Sequence, residues 1–348
     1  MSKTRIAVAL SGGADSAAAA LLLKEGAYEV MGIHMRLWDS ALFDCQARQA
    51  QSICRILDIP YHELDVRKEF ESCVVGYFCR EYQRGRTPNP CVVCNRGVKF
   101  GLLLERALSL GADYLATGHY ARVEHSRQGY LLLKAADIRR DQSYFLYALT
   151  QEKLRRVLFP LGERGRDEVK QLVERAGLPS PAKSSQDLCF ISPKNYGVFL
   201  SQRLSSAPGD IVDRLGRIIG QHRGIAFYTI GQRHGLGLAS GQPLYITRIE
   251  HENNRIVLGS ENELYSRKLT AQDLNWISGK PPQQAIATHA RIRYRSKEAE
   301  ATLAFRTGSV DVYFTQPQKA VTPGQAIVFY NEDEVLGGAT IDSTEIGP

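Results

Sequence analysis

Ser11-Gly12-Gly13-Ala14-Asp15-Ser16 stands directly after the apolar run Ile6–Leu10 and opens into a helix candidate, Ser16–Lys24. Two adjacent glycines at a strand-to-helix turn let successive backbone N–H groups curl around an anion, and the helix N-terminus adds unpaired donors and a favourable dipole. Ser11 and Ser16 supply hydroxyls, and Asp15 offers a carboxylate to a divalent cation or as a helix cap. The pattern suits nucleotide phosphates. It lacks the GxxxxGK[ST] spacing and therefore a lysine that reaches a γ-phosphate, which speaks against phosphoryl transfer of the P-loop kind. The structural alternative is a tight turn with Ser11 capping the helix.

Arg84-Gly85-Arg86-Thr87-Pro88-Asn89-Pro90-Cys91-Val92-Val93-Cys94-Asn95 reads as a rigid, proline-marked loop carrying a CxxC. Two cysteines at this spacing can ligate a metal, form a redox pair or hold one activated nucleophile. A structural zinc site needs four ligands, and no second CxxC or paired histidine follows. Arg84, Arg86, Arg96 and Lys99 crowd the loop, and nearby cations lower a thiol pKa. Cys45, Cys54, Cys73 and Cys79 sit in helical patterns and read as buried, inert thiols. Cys189 stands between the polar Lys183-Ser184-Ser185-Gln186-Asp187-Leu188 and the apolar Phe190-Ile191.

The elements that must position these groups alternate. Ile6–Leu10, Tyr28–Met35, Tyr61–Val66 and Tyr114–Gly118 are strand candidates separated by helical stretches, which predicts a parallel α/β sheet. Ligands of such sheets sit beyond the carboxyl ends of the strands, where Ser11–Ser16, Met35 and Gly118-His119 fall. Ser205-Ser206-Ala207-Pro208-Gly209 ends the alternation, and 207–348 reads as all-β, divided near 268 because Leu269–Ile277 begins a new strand run. The expected organisation is 1–206 for the nucleotide-binding domain, 207–268 for a small β-rich domain and 269–348 for a C-terminal β-barrel.

A chain of 348 residues, 43% hydrophobic, is long enough for two or three cores. No apolar run reaches membrane-span length and no signal-peptide pattern opens the chain, which predicts a cytoplasmic protein without a membrane partner. Seven cysteines then read as thiols or ligands rather than as a disulfide framework. The net charge of +7 is uneven, at +7 over 1–206, +2 over 207–268 and −2 beyond, so the basic excess travels with the nucleotide-binding half and suits a polyanionic partner. Period-two geometry would put Arg291, Arg293, Arg295 and Lys297 on one strand face, a cationic stripe for phosphates or a charge-protected edge.

SGGxDS resembles the PP-loop of ATP pyrophosphatases, which adenylate a substrate and release pyrophosphate. Further motifs are Ala116-Thr117-Gly118-His119-Tyr120, Asp141-Gln142-Ser143-Tyr144-Phe145-Leu146, Tyr228-Thr229-Ile230-Gly231-Gln232-Arg233, Thr322-Pro323-Gly324-Gln325 and Val328-Phe329-Tyr330. Together with the CxxC and Cys189 they make the chain similar, over nearly its whole length, to the tRNA-specific 2-thiouridylases. That resemblance implies an adenine nucleotide α-hydrolase-like domain, ATP and Mg2+ as cofactors, and adenylation of the wobble uridine 2-oxygen followed by sulfur transfer from a cysteine persulfide. It implies Cys94 as nucleophile, Cys189 as persulfide carrier, and Ala9, Leu10, Ser11, Gly12, Gly13, Ala14, Asp15, Ser16, Met35 and Gly118 at ATP. It places Asn89, Pro90 and Cys91 at the target base, and His119, Arg140, Asp141, Gln142, Arg293, Tyr294 and Gln325 at tRNA. The implied partners are tRNA and a sulfur donor such as a cysteine desulfurase or a sulfur-relay protein.

Two positions depart from the family pattern. Cys91 stands where some members carry Asp, which adds a third thiol, and His234 follows Gly231-Gln232-Arg233 where a lysine is expected. Cys91, Cys94 and Cys189 could thus ligate a [4Fe–4S] cluster, although a persulfide on Cys189 resolved by Cys94 needs no third thiol. Two other functions share parts of the pattern. A small-molecule adenylating ligase of the argininosuccinate synthase or GMP synthase type needs the loop but not the cysteines. A non-catalytic RNA-binding or metal-sensing protein needs the reverse.

Overall fold

The computed structural model describes residues 3–179, 188–191, 196–238 and 242–345. The apolar runs pair as expected: β1 (Arg5–Ala9), β2 (Glu29–Arg36), β3 (Tyr61–Asp65) and β4 (Tyr114–Ala116) lie parallel. A hairpin, β5 (Arg122–Ser126) and β6 (Gly129–Leu133), precedes β7 (Val157–Leu158), and the sheet order is β3-β2-β1-β4-β7. The order reverses direction between β1 and β4, so a crevice opens beyond their carboxyl ends. Helix α1 (Ala14–Glu25) covers β1 and buries Ala17, Ala18, Ala19 and Ala20, side chains small enough to let its backbone approach the sheet closely. Asp15 in its first turn and Lys24 in its last both complement the helix dipole.

The second region is a sheet of β8 (Gly209–Val212), β9 (Ile218–His222), β10 (Tyr245–Glu250) and β11 (Arg255–Gly259) around Ile211, Ile246, Ile256 and Leu258. The third begins at Tyr265, earlier than the run expected from Leu269. Its strands are β12 (Tyr265–Trp276), β13 (Ile286–Arg291), β14 (Ala299–Arg306), β15 (Ser309–Lys319), β16 (Ala326–Asn331) and β17 (Glu334–Glu345). They run antiparallel in the order β12-β15-β14-β13-β16-β17, and the β12–β17 pairing closes six strands into a barrel. Leu269, Leu303, Val310, Val312, Ile327, Phe329 and Ile341 fill it without exposed surface, each contributing about 1.5–3 kcal/mol of transfer free energy. The β5–β6 hairpin of the first region joins this sheet through the Leu133–Glu334 pairing. Among the described residues no helix is long and apolar enough to cross a membrane.

Several local expectations change. The CxxC is not in a loop: Asn89 caps a helix, Pro90–Val93, that continues as the π-helical segment Cys94–Leu103, with proline at its first position where no N–H is needed. The cationic stripe is not a strand face, because β13 stops at Arg291 and the chain turns. Ser296 closes the turn by donating its N–H (3.1 Å) and hydroxyl (2.9 Å) to the Arg293 carbonyl. Arg293, Arg295 and Lys297 remain exposed, whereas Arg291 is only partly exposed and pairs with Glu298 (2.8 Å) and Asp141 (3.5 Å). Lys134 joins Glu298 at 2.7 Å, completing a buried ionic cluster between the first region and the barrel. Cys54 is buried as expected, but Cys45 and Cys73 are exposed and Cys79 is partly so.

Removing one member of a buried charge cluster strands its partners. Arg291→Met should therefore lower unfolding free energy by about 3 kcal/mol in urea titrations, while Arg295→Ala, on the exposed turn, should stay within about 0.5 kcal/mol of the parent.

Candidate active site

The turn after β1 is stapled by its own hydroxyls. Ser16 Oγ accepts from the Ser11 N–H (3.2 Å) and donates to the Gly13 carbonyl (2.9 Å), while Ser11 Oγ accepts from the Gly13 N–H (3.3 Å). Gly13 is the N-cap, which displaces both Ser11 and Asp15 from the capping role, and no side chain caps the helix. Gly12 has φ +77°, and a Cβ there would stand 2.6 Å from the Gln46 carbonyl oxygen. From the β4 side, Gly118 comes so close that a Cβ would lie 2.7 Å from the Asp15 carbonyl carbon. Ala9, Leu10, Ser11–Ser16 and Gly118 thus meet at the sheet's switch point, and Met35 lies at the end of the adjacent β2.

Asp15 faces the crevice half-exposed. Its Oδ1 accepts from the Tyr120 hydroxyl at 2.8 Å and its Oδ2 lies 3.6 Å from the Arg140 guanidinium. Tyr120, a motif residue to which the sequence pattern assigns no role, therefore orients the one carboxylate of the loop. One carboxylate beside a phosphate cradle is the donor set Mg2+ commonly takes, completed by phosphate oxygens and water.

The thiols form a second focus. Cys94 is buried and Cys91 half-buried, while Cys189 retains exposed surface although protein crowds it closely. Loss of solvation pushes Cys94 up to about 11 and Cys189 up to about 12, and raises Cys91 as well. Cys91 and Cys94 each add to the rise at Cys189, which puts all three within electrostatic reach of one another. The expectation that the neighbouring arginines lower these values is overturned. Arg86 is committed to Glu81 (2.8 Å) and Asp342 (3.0 Å), Arg84 sits 3.8 Å from Glu81, and Lys99 is the cation that opposes the rise at all three thiols. Phe190 holds Cys189 in place by inserting among Phe70 (5.5 Å), Phe78 (5.5 Å), Phe199 (5.6 Å) and Trp38 (6.3 Å). Lys183–Asp187 of the Cys189 motif lie outside the described residues. Among the described residues no three His, Cys, Asp or Glu side chains are grouped to hold a metal ion, and no step is routed through one.

The remaining candidate residues frame these foci. Asn95, beside Cys94, donates to the Phe145 carbonyl (3.0 Å), and Phe145 stacks on Tyr294 with ring centres 4.5 Å apart. Gln325 donates to the Thr87 carbonyl (2.9 Å), so it grips the segment leading to Asn89 and Cys91. Gln142 accepts from the Tyr120 N–H (3.1 Å). Asp141 is buried, its carboxylate accepting from the N–H groups of Ala135 and Ser143 and from the Ser143 hydroxyl. His119 is enclosed, with Nδ1 2.7 Å from Thr117 Oγ1 and Nε2 3.5 Å from Lys99 Nζ. Arg293, Ser296, Lys297 and Lys319 line an open groove of about 510 Å³ on the barrel, shared with Glu298 and Glu300. Arg233 and His234 line another of about 520 Å³ in the second region.

Gly12 cannot take a side chain without leaving its φ or displacing Gln46. Gly12→Val should cut tRNA-dependent pyrophosphate release by about 100-fold, since a displacement near 1 Å costs that much, while tRNA affinity in filter binding stays unchanged. An equal loss of tRNA affinity would assign the turn a different role.

Family models match the chain in three consecutive pieces: a tRNA methyl transferase HUP domain over 4–193, a tRNA methyl transferase PRC-barrel domain over 197–260 and an aminomethyltransferase beta-barrel domain over 266–341. The tRNA-specific 2-thiouridylase MnmA 1 of Syntrophus aciditrophicus is 46% identical over 349 residues, covering 98% of this chain and 93% of that protein. The tRNA-specific 2-thiouridylase MnmA of Acetivibrio thermocellus is 44% identical over 358 residues, 98% of this chain and all of that one. Among solved structures, the U34-tRNA thiolase NcsA of Methanococcus maripaludis overlaps 53% of this chain and 60% of its own at 20% identity, with a TM-score of 0.37, too low for any inference about chemistry. With its domains matched in order and identity of this size along nearly its whole length, the chain belongs to the tRNA-specific 2-thiouridylase family.

Proposed function

We propose that this protein uses ATP to replace the 2-oxygen of the tRNA wobble uridine with sulfur. The observation that carries this reading is the chain of neighbours joining two chemistries: Gly118 abuts the Asp15 backbone, the next residue His119 touches Lys99, and Lys99 faces the thiols. Phosphate binding and sulfur transfer therefore share one crevice, as adenylation followed by thiolation requires.

In this reading the loop N–H groups and Ser11 bind the phosphates, and Asp15, turned by Tyr120, would hold Mg2+, which would offset phosphate charge. The uridine O2 attacks the α-phosphorus and pyrophosphate leaves, which converts a poor leaving oxygen into AMP. The terminal sulfur of a persulfide on Cys189 attacks C2 and AMP departs, leaving the base linked to Cys189 through two sulfurs. The Cys94 thiolate then attacks the Cys189 sulfur. A Cys94–Cys189 disulfide forms, the S–S bond to the base breaks, and 2-thiouridine is released. A thiol or dithiol reductant restores the pair. Asn89, Pro90 and Cys91 border the base.

Exposure divides the thiols in the same way. Cys189 keeps surface for a cysteine desulfurase or sulfur-relay protein to reach, and buried Cys94 does not. Arg293 and its neighbours on the barrel turn would meet phosphates of the tRNA, with Arg140, Gln142 and Gln325 nearer the base. These reactions suit the cytoplasm, where reduced thiols, ATP and tRNA coexist.

Nucleoside mass spectrometry of tRNA incubated with the protein, ATP, Mg2+, a persulfide donor such as a cysteine desulfurase with cysteine, and a dithiol reductant tests the reading. The parent protein should yield 2-thiouridine, and Cys94→Ser and Cys189→Ser should each lose it by ~10³-fold or more while still binding ATP. Wild-type yield from either variant removes that residue's role, and pyrophosphate release without tRNA points instead to a small-molecule ligase. Replacing Arg293 and Arg295 by Ala should flatten the slope of log affinity against log salt by roughly 0.7–0.9 for each phosphate no longer neutralised. An unchanged slope returns the turn to ordinary solvated surface.

A further inference from the structure

Cys94–Leu103 winds as a π-helix, in which backbone bonds join residue i to i+5, so residues five apart lie nearer to one face than they would in an α-helix. In an α-helix a five-residue step would rotate the side chain by about 140° and send it to another face. The wider winding turns Lys99 toward the side of the segment that carries Cys94, on which its charge acts, and Phe100, with φ −101° and ψ 18°, breaks the helical path immediately after it. Among the described residues no carboxylate pairs with Lys99, in contrast to Arg84 and Arg86.

His119 aims the ammonium. Lysine can only donate, so His119 Nε2 accepts from Lys99 Nζ at 3.5 Å and the ring proton sits on Nδ1, donated to Thr117 Oγ1 at 2.7 Å. Phe100 and Phe159 enclose the imidazole, with ring centres 5.8 and 6.0 Å away. Burial first, and the Lys99 charge second, hold its basicity well below the usual histidine value, so it stays the neutral acceptor the arrangement needs.

We propose that Lys99 is the cation that stabilises the sulfur anion at Cys94, and that His119 is a positioning residue that directs Lys99 there, an assignment that rests on reading Cys94 as the nucleophile of the site. When Cys94 ionises, its proton leaves to water and Lys99 keeps its own three. Among the described residues the groups that act on Cys94 are Lys99, Cys91 and Cys189, and Lys99 is the cation of the set, so a change in Lys99 is felt directly at the thiol. The role of His119 then lies within the protein, behind the residues that touch RNA.

The test is the rate of Cys94 alkylation by iodoacetamide at pH 8, where lysine is charged, read by peptide mass spectrometry on the full-length protein without ATP or tRNA. Lys99→Gln should slow alkylation about tenfold, the equivalent of raising the thiol by about one unit. Lys99→Arg should keep the rate close to the parent's, and His119→Phe, which preserves ring packing but removes the acceptor, should slow it by less than Lys99→Gln. These two variants keep the test decisive where Lys99→Gln does not fold. A Lys99→Gln rate equal to the parent's, or an equal slowing in the exposed control Arg96→Gln, overturns the proposal. An unmoved rate in His119→Phe overturns the part given to His119. Thiolation by Cys94→Ser would sink the functional reading while leaving the alkylation shift in place, so the two failures are distinguishable.

Discussion

The segment Gly85–Asn89 is held from outside its own domain, and the active site depends on that hold. Thr87 donates its N–H to the Pro323 carbonyl (2.9 Å) and its hydroxyl to Thr229 (3.2 Å), and Arg86 donates to the Ile341 carbonyl (3.0 Å). Gly324, at φ +90°, lets the barrel turn approach until a Cβ would stand 3.0 Å from Thr87 backbone atoms. Gly85 makes room for Ile249 of the second region in the same way, at 2.4 Å from its ideal Cβ. Asn89 and the helix carrying Cys91 and Cys94 follow at once, so the segment that leads to these two thiols is anchored by all three regions.

The electrostatics of the crevice follow from this docking. Burial that fixes the thiols also removes the water that would stabilise their anions, and it raises all three. Arg86, which the docking recruits, is committed to carboxylates of other elements, and among the described residues Lys99 is the cation that opposes the rise at all three thiols. At the nucleotide turn the logic is reversed. Asp15 is left half-exposed, touched by one hydroxyl and one guanidinium, and so keeps a carboxylate that a cation can reach.

The barrel turn and the segment that carries the thiols are joined through a few side chains. Tyr294 on the barrel turn packs on Phe145, whose carbonyl receives Asn95 beside Cys94, and Arg291 at the end of β13 meets Asp141 beside Arg140. A polyanion that orders the 292–297 turn would thus bear on residues adjacent to both foci.

The nucleotide turn was legible because its cues are local: glycines at a strand-to-helix junction, followed by an alanine-rich helix that any sheet can accept. The alternation of apolar runs in the first region likewise carried its parallel sheet, and the match to a family of 2-thiouridylases was written in motifs that need no coordinates. What the sequence could not specify was the state of those residues. Arg291–Lys297 has the period of a strand, but Ser296 closes a turn there and a buried carboxylate pair draws Arg291 inward. Four cations near a CxxC read as activation until distant partners, Glu81 and Asp342, claimed two of them. Cys94 and Lys99 look unrelated on an α-helical wheel, and the π-helical winding turns them toward one face. Local patterns determine which groups are present and which element carries them, whereas the pairing of charges and the loss of water are set by residues far apart in the chain and exist only once it is packed.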